Sequence, residues 1–146
     1  AVLALGAAHV IATRDEDLGE ALHRIVGPDG LQRAFDAVGG PQVGTIAAAM
    51  APGGVIVSHG MLDPAATPFP LRLALRKSLT MRGYVFTEIV GNAGKLEAAK
   101  RFILQGLSSG ALRPVVDKIF AFDDLVEAHR YLESNQQIGK IVVSVP

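Results

Sequence analysis

The chain has 146 residues, 49% of them apolar and none of them cysteine, with 14 lysines and arginines balanced by 14 aspartates and glutamates. That length fits one compact domain burying about two thirds of the surface its unfolded form exposes, so no covalent staple is needed. The lack of cysteine excludes a disulfide-framed secreted domain and any thiolate chemistry, which sets a reducing, cytoplasmic setting as the expectation. Zero net charge removes the field that would draw the chain to nucleic acid or an anionic membrane, and leaves small molecules or proteins as partners.

The opening segment, Ala1-Val2-Leu3-Ala4-Leu5-Gly6, reads as the last turn of a helix closed by a glycine cap. The apolar run from Ala1 to Ala12 contains Gly6 and His9, lacks a basic leader, and is too short to span a bilayer. The start inside a helical turn, without methionine, points to sequence missing upstream. His9 to Thr13 is short and apolar, as a buried parallel strand should be. From Asp15 to Val26, Leu18, Ala21, Leu22 and Ile25 recur at helical spacing behind three acidic residues at the positive end of the helix.

Gly27-Pro28-Asp29-Gly30 breaks that helix, and Leu31 to Val38 supplies a second strand. A helix follows from Pro41 to Met50. Ala51-Pro52-Gly53-Gly54 then turns the chain into a third strand, Val55 to Gly60. Asp63 to Pro70 is a proline-rich loop, Leu71 to Lys77 a short helix, and Leu79 to Phe86 a fourth strand. Asn92 to Leu107 is helical, with Leu96, Ala99, Phe102 and Ile103 on one face. A boundary falls near Gly110 to Pro114. Beyond it come a strand at Val115 to Phe122, a helix capped by Asp123 or Asp124 with Glu127 placed for a capping box, and a last strand at Ile138 to Val145. Short apolar strands alternating with helices predict a parallel sheet, because parallel neighbours need crossover connections.

In such sheets ligands sit beyond the carboxyl ends of the strands. Three predicted strand ends carry small residues: Val38-Gly39-Gly40, Ser58-His59-Gly60 and Gly83-Tyr84. Glycine there admits a flat ring or a phosphate close to the backbone, but ordinary strand-to-helix turns favour glycine too, and spacing alone leaves both readings open. His9, His23, His59 and His129 are scattered, no two of them at metal-ligand spacing, which argues against a metal site. Ser58 and His59 are no catalytic pair, since adjacent strand residues face opposite sides. Arg72, Arg76 and Lys77 read as a solvated helix edge, and Lys140 as either a surface lysine or a phosphate clamp.

Taken in order, Leu5-Gly6-Ala7-Ala8-His9-Val10-Ile11, Phe35-Asp36-Ala37-Val38-Gly39-Gly40, Gly53-Gly54-Val55-Ile56-Val57, Met81-Arg82-Gly83-Tyr84, and Ala128-His129 with Gly139-Lys140-Ile141-Val142 resemble the medium-chain dehydrogenase/reductase superfamily over nearly the whole chain. The chain looks most like its zinc-independent quinone oxidoreductase branch. The resemblance implies a Rossmann-like doubly wound parallel sheet lacking its first two strands, with a C-terminal strand-helix-strand tail. Residues 1–112 would be a partial nucleotide-binding domain, and residues 113–146 a tail that packs on an absent N-terminal catalytic domain.

It further implies hydride transfer from NADPH or NADH to a quinone or activated carbonyl or alkene. Val38, Gly39 and Gly40, the turn Ser58, His59, Gly60 and Met61, and Tyr84, Val85 and Phe86 would line the cofactor, with Lys140 reaching its phosphates. A homodimer paired through the strand near Leu79 to Phe86 is also implied.

Two family parts are missing from the sequence, the glycine-rich phosphate turn and the strand end that tells a ribose hydroxyl from a phosphate. The isolated chain is therefore expected to be inactive. It should also have an open sheet edge at Leu31 to Val38, covered either by His9 to Thr13 or by another chain. Two competing readings are a non-enzymatic nucleotide-binding or association module of the same fold, and a methyl-transfer α/β domain, which would have an antiparallel final strand in the sheet and an acidic residue at an early strand end.

Overall fold

The computed structural model describes residues 2–146. The elements in chain order are α1 (Leu18–Val26), β1 (Leu31–Asp36), α2 (Gln42–Ala49), β2 (Met50–Ser58), α3 (Leu71–Lys77), β3 (Thr80–Gly83), α4 (Thr87–Val90), α5 (Ala93–Ser109), β4 (Val116–Ala121), α6 (Leu125–Glu133) and β5 (Lys140–Ser144). They form two compact units, Val2–Glu88 and Ile89–Pro146.

In the first unit β1, β2 and β3 make a three-stranded, all-parallel sheet in that order. The register creates rows across it. Ala34, Ile56 and Met81 are aligned partners, and this row packs with Ala47 and Ile46 of α2 and Leu73 of α3 as the core. The next row, Phe35, Val57 and Arg82, must face the other way because strand side chains alternate, and Phe35 is accordingly 74% exposed. The last row, Asp36, Ser58 and Gly83, falls at the carboxyl ends of all three strands.

The local sequence accounts for the helices. Asp17 caps α1, its carboxylate accepting the amide of Glu20 at 2.8 Å, and Asn92 does the same for α5 at Lys95. Helix α2 ends on an unusual partner: the ammonium of Lys77 donates to the carbonyls of Ala48 and Met50, both at 2.6 Å. Lys77 is therefore not part of a solvated edge but a cation on the negative end of a helix, filling acceptors that would otherwise be orphaned. Lys77→Met should cost about 1 kcal/mol of stability. Urea unfolding checks this, with Arg72→Gln as an unaffected control.

His9 to Thr13 is not a strand. The chain turns instead, the carbonyl of Ala12 accepting from the amides of Asp15 and Glu16 while the Glu16 carboxylate accepts the Ala12 amide. An isolated apolar run has no ladder to join unless a neighbour is supplied, and backbone groups satisfied in a turn are unavailable to one. Among the described residues β1 has β2 on one side and no strand on the other, so the expected substitution of His9 to Thr13 at the open edge does not occur. The opening turn is realised as a single 3-10 turn, Leu3–Leu5, closed by Gly6 in the left-handed region, with Ala1 outside the described residues.

Strand β2 also begins earlier than Val55, because Met50 pairs with Leu31 ahead of a register shift that absorbs the Pro52-Gly53-Gly54 stretch. Strand β3 is shorter than Leu79 to Phe86, ending at Gly83.

In the second unit β4 and β5 pair in parallel, joined through α6. Every strand pairing among the described residues is parallel, so the antiparallel final strand of the methyl-transfer reading is absent, although Asp36 does place an acidic residue at the end of β1. The capping box is absent: a 3-10 turn, Phe122–Asp124, leads into α6, the Asp124 side chain makes no cap bond, and Glu127 pairs with Arg130 instead. Phe120 is buried beside Tyr131, whose hydroxyl donates to Asp117 at 2.7 Å; that bond holds the tyrosine pKa above its ordinary value.

Candidate functional site

The carboxyl-end row of the sheet is extended by hydrogen bonds that stitch each post-strand turn to its neighbour. The amide of His59 donates to the carbonyl of Asp36 at 2.8 Å, and the amide of Tyr84 to the carbonyl of Ser58 at 2.9 Å. These bonds continue the ladder one step past each strand and hold the three turns side by side.

The turn after β1 is the most tightly specified. Asp36 is 4% exposed, and its carboxylate accepts from the amides of Val38 at 2.9 Å and Gly39 at 3.0 Å. Gly39 and Gly40 both have φ near +70°, a conformation costly for any residue with a Cβ. The amide of Gly40 donates to the hydroxyl of Thr67 at 2.8 Å, and the amide of Asp63 to the carbonyl of Val38 at 2.9 Å. The proline-rich loop is thus fastened over the glycine turn by two long-range bonds.

Gly60 lies so close to the carbonyl of Ala37 that a Cβ would collide with it, which explains glycine at that point of the second turn.

Between these turns lies a cleft of about 550 Å³. Seven of the residues expected to meet a cofactor line it: Gly39, Ser58, His59, Gly60, Met61, Tyr84 and Val85. Gly83, Thr67 and Glu88 complete the lining. Glu88 is held at the rim by Arg82, at 2.5 Å. Val38 and Gly40 belong to the same turn without lining the cleft, and Phe86 lies two residues past Tyr84 with 66% of its surface exposed. Lys140 belongs to the other unit, where it opens β5, its amide donating to the carbonyl of Val115 at 2.8 Å. It lines a separate hollow there with His129 and Gln137.

Sequence reasoning missed Asp36, Thr67 and Glu88. Asp36 carried a readable signal, since an aspartate two residues before the start of a turn commonly accepts that turn's amides. Thr67 and Glu88 act across 27 and 6 residues, and no local pattern announces them.

A parallel sheet with crossover helices and a cleft over its carboxyl ends defines a Rossmann-like α/β class of protein. The chain belongs to the zinc-binding dehydrogenase family, whose family model matches residues 5–143, within the medium-chain dehydrogenase/reductase superfamily. It is similar to a 2-haloacrylate reductase of a Burkholderia species, with 24% identity over 95% of this chain and 42% of that protein. It is also similar to an NADP-dependent oxidoreductase of Cochliobolus heterostrophus, with 29% identity over 90% of this chain and 39% of that one. The chain therefore spans about two fifths of the length of these curated relatives.

Among solved structures, an NAD-dependent alcohol dehydrogenase superposes with a TM-score of 0.80 at 26% identity, over 99% of this chain and 40% of that one. The family name refers to zinc; the sequence has no cysteine, and among the described residues no three or more histidines, aspartates and glutamates gather in a metal-sized group. Among the same residues no helix is long and apolar enough to cross a membrane.

Proposed function

We propose that this chain is the nicotinamide-facing portion of an NADP(H)-dependent oxidoreductase that transfers hydride to a quinone or an activated carbonyl or alkene. The observation that carries the reading is the cleft over the Asp36, Ser58 and Gly83 row, the place where a doubly wound sheet takes its ligand. Its walls fit the nicotinamide half. Gly39, Gly60 and Gly83 leave bare backbone where a flat ring would lie, while Met61, Tyr84 and Val85 offer apolar contact and Ser58 and His59 a few polar groups. When bound, the nicotinamide supplies the hydride; the chain's residues orient the ring and exclude water from one face. NADP is taken first because the Cochliobolus relative is NADP-dependent, with NAD as the alternative because the superposed alcohol dehydrogenase is NAD-dependent.

In this reading residues 113–146 pack against a separate catalytic domain, Lys140 reaches the cofactor phosphates, and a homodimer forms through the outer edge of β3, which among the described residues has β2 on one side only. A monomer by light scattering would count against the dimer. A cytoplasmic setting accompanies the reading.

NADPH fluorescence titrated with this chain should report binding without turnover. In a whole protein carrying the chain, added quinone should consume NADPH absorbance. Binding there without turnover on any quinone, enone or acrylate would favour a non-enzymatic nucleotide-binding module instead.

A further inference from the structure

The glycine turn at the end of β1 resembles a phosphate-binding turn in composition, yet its donors are already committed. The amides of Val38 and Gly39 donate to the Asp36 carboxylate, and the amide of Gly40 to the Thr67 hydroxyl. A phosphate is held by free N–H groups converging on it, and a turn with three consecutive amides spent internally has none of these to offer. Asp36 adds a second obstacle. It is the one buried charged side chain among the described residues, and its carboxylate oxygens lie against the turn's amides. An anion approaching the same backbone would meet acceptor oxygens and no free donor among these three amides.

With its amides turned inward and the carbonyls of Val38 and Gly40 accepting from the amides of Asp63 and Val43, the turn offers the Gly39 carbonyl and glycine surface for contact, which suits a flat ring bearing an amide N–H₂ donor. The Gln42 side chain, 3.5 Å from the same carboxylate, donates from the start of α2 and ties that helix to the arrangement.

We propose that Asp36 is a positioning residue that, with Thr67, locks the Val38–Gly40 turn in a phosphate-rejecting form, so that this strand end accepts the amide-bearing ring of a dinucleotide and refuses its phosphates. The proposal rests on the cofactor reading above and deepens it. It assigns Asp36 a role through the backbone rather than through contact with ligand, because the carboxylate is itself buried.

Amide hydrogen exchange and chemical-shift mapping of the isotope-labelled chain test it with two probes, N-benzyl-dihydronicotinamide, which has no phosphate, and inorganic phosphate. In the unaltered chain the nicotinamide should shift Gly39 and the amides of residues 58–61, and phosphate should leave residues 38–40 unmoved. Asp36→Ala should speed exchange at Val38 and Gly39 by about tenfold or more, weaken the nicotinamide response by about tenfold, and let phosphate shift the freed amides. Asp36→Asn, which keeps one acceptor, should recover most of the protection.

Thr67→Val, at an exposed loop position, should free the Gly40 amide alone and serves if Asp36→Ala does not fold. Unchanged exchange at Val38 and Gly39 in Asp36→Ala, unchanged exchange at Gly40 in Thr67→Val, or a phosphate response in the unaltered turn would overturn the proposal. If exchange depends on Asp36 as expected but the unaltered chain ignores the nicotinamide, the locking of the turn is supported and the cofactor reading fails.

Discussion

Ile56→Ala should lower the stability of this chain by about 3 kcal/mol and its melting temperature by about 10 °C, whereas Phe35→Ala should change either within about 0.5 kcal/mol. The contrast follows from the register. Ile56 is fully buried on the middle strand between Ala34 and Met81, so removing its side chain opens a cavity under α2 and α3. Phe35, one residue along the neighbouring strand from Ala34, points to the opposite face and is 74% exposed. A large aromatic is ordinarily the costlier loss, which makes the reversed order a discriminating result. Thermal unfolding of both variants decides it, and a larger loss for Phe35→Ala would mean that the sheet buries the other face.

Gly60→Ala should disable the cleft with a smaller cost in stability, about 1 to 3 kcal/mol from overpacking. The added methyl would overlap the carbonyl of Ala37, a backbone atom that cannot swing aside as a side chain end would. Either the Ser58 to Met61 turn or the Val38 to Gly40 turn must then move, and both border the same space. NADPH affinity is expected to fall by about tenfold or more, which corresponds to about 1.4 kcal/mol per factor of ten. Isothermal titration checks it, with Gly44→Ala as the comparison: Gly44 lies in the first turn of α2 with nothing near its missing Cβ, so that substitution should leave binding intact. Equal affinity in both variants would mean that the contact between the turns does not shape the site.

Much of the fold could be read from residue type and spacing alone. The alternation of apolar strands and amphipathic helices fixed a parallel sheet, and Leu71–Lys77 emerges as a helix with the expected bounds. The errors share one cause, dependence on a partner that local sequence does not reveal. His9 to Thr13 has the composition of a buried strand, but a strand exists only where a neighbour supplies hydrogen bonds, and here the Ala12 carbonyl is spent on a turn. Lys77 reads as solvated until α2 is placed beside it. Asp124 and Glu127 have capping-box spacing, but the 3-10 turn ahead of α6 alters the entry geometry and Arg130 claims the glutamate.

At the site, glycine and strand-end position singled out the three turns but left ordinary turns and a ligand site equally open, and only the family resemblance made them a cofactor expectation; the turns do border one cleft. What they did not disclose is that the first turn's amides are consumed from within, since that depends on the burial of Asp36 and on a threonine far along the chain.

In the proposed function the carboxyl ends of β1, β2 and β3 hold the nicotinamide half of a dinucleotide. Amide shift mapping of the labelled chain against NADPH tests it most directly. Perturbations should concentrate at Gly39, Ser58 to Met61 and Tyr84 to Val85, on the walls of the cleft. Perturbations absent from all three strand ends, with binding located elsewhere on the chain or not found at all, would contradict it.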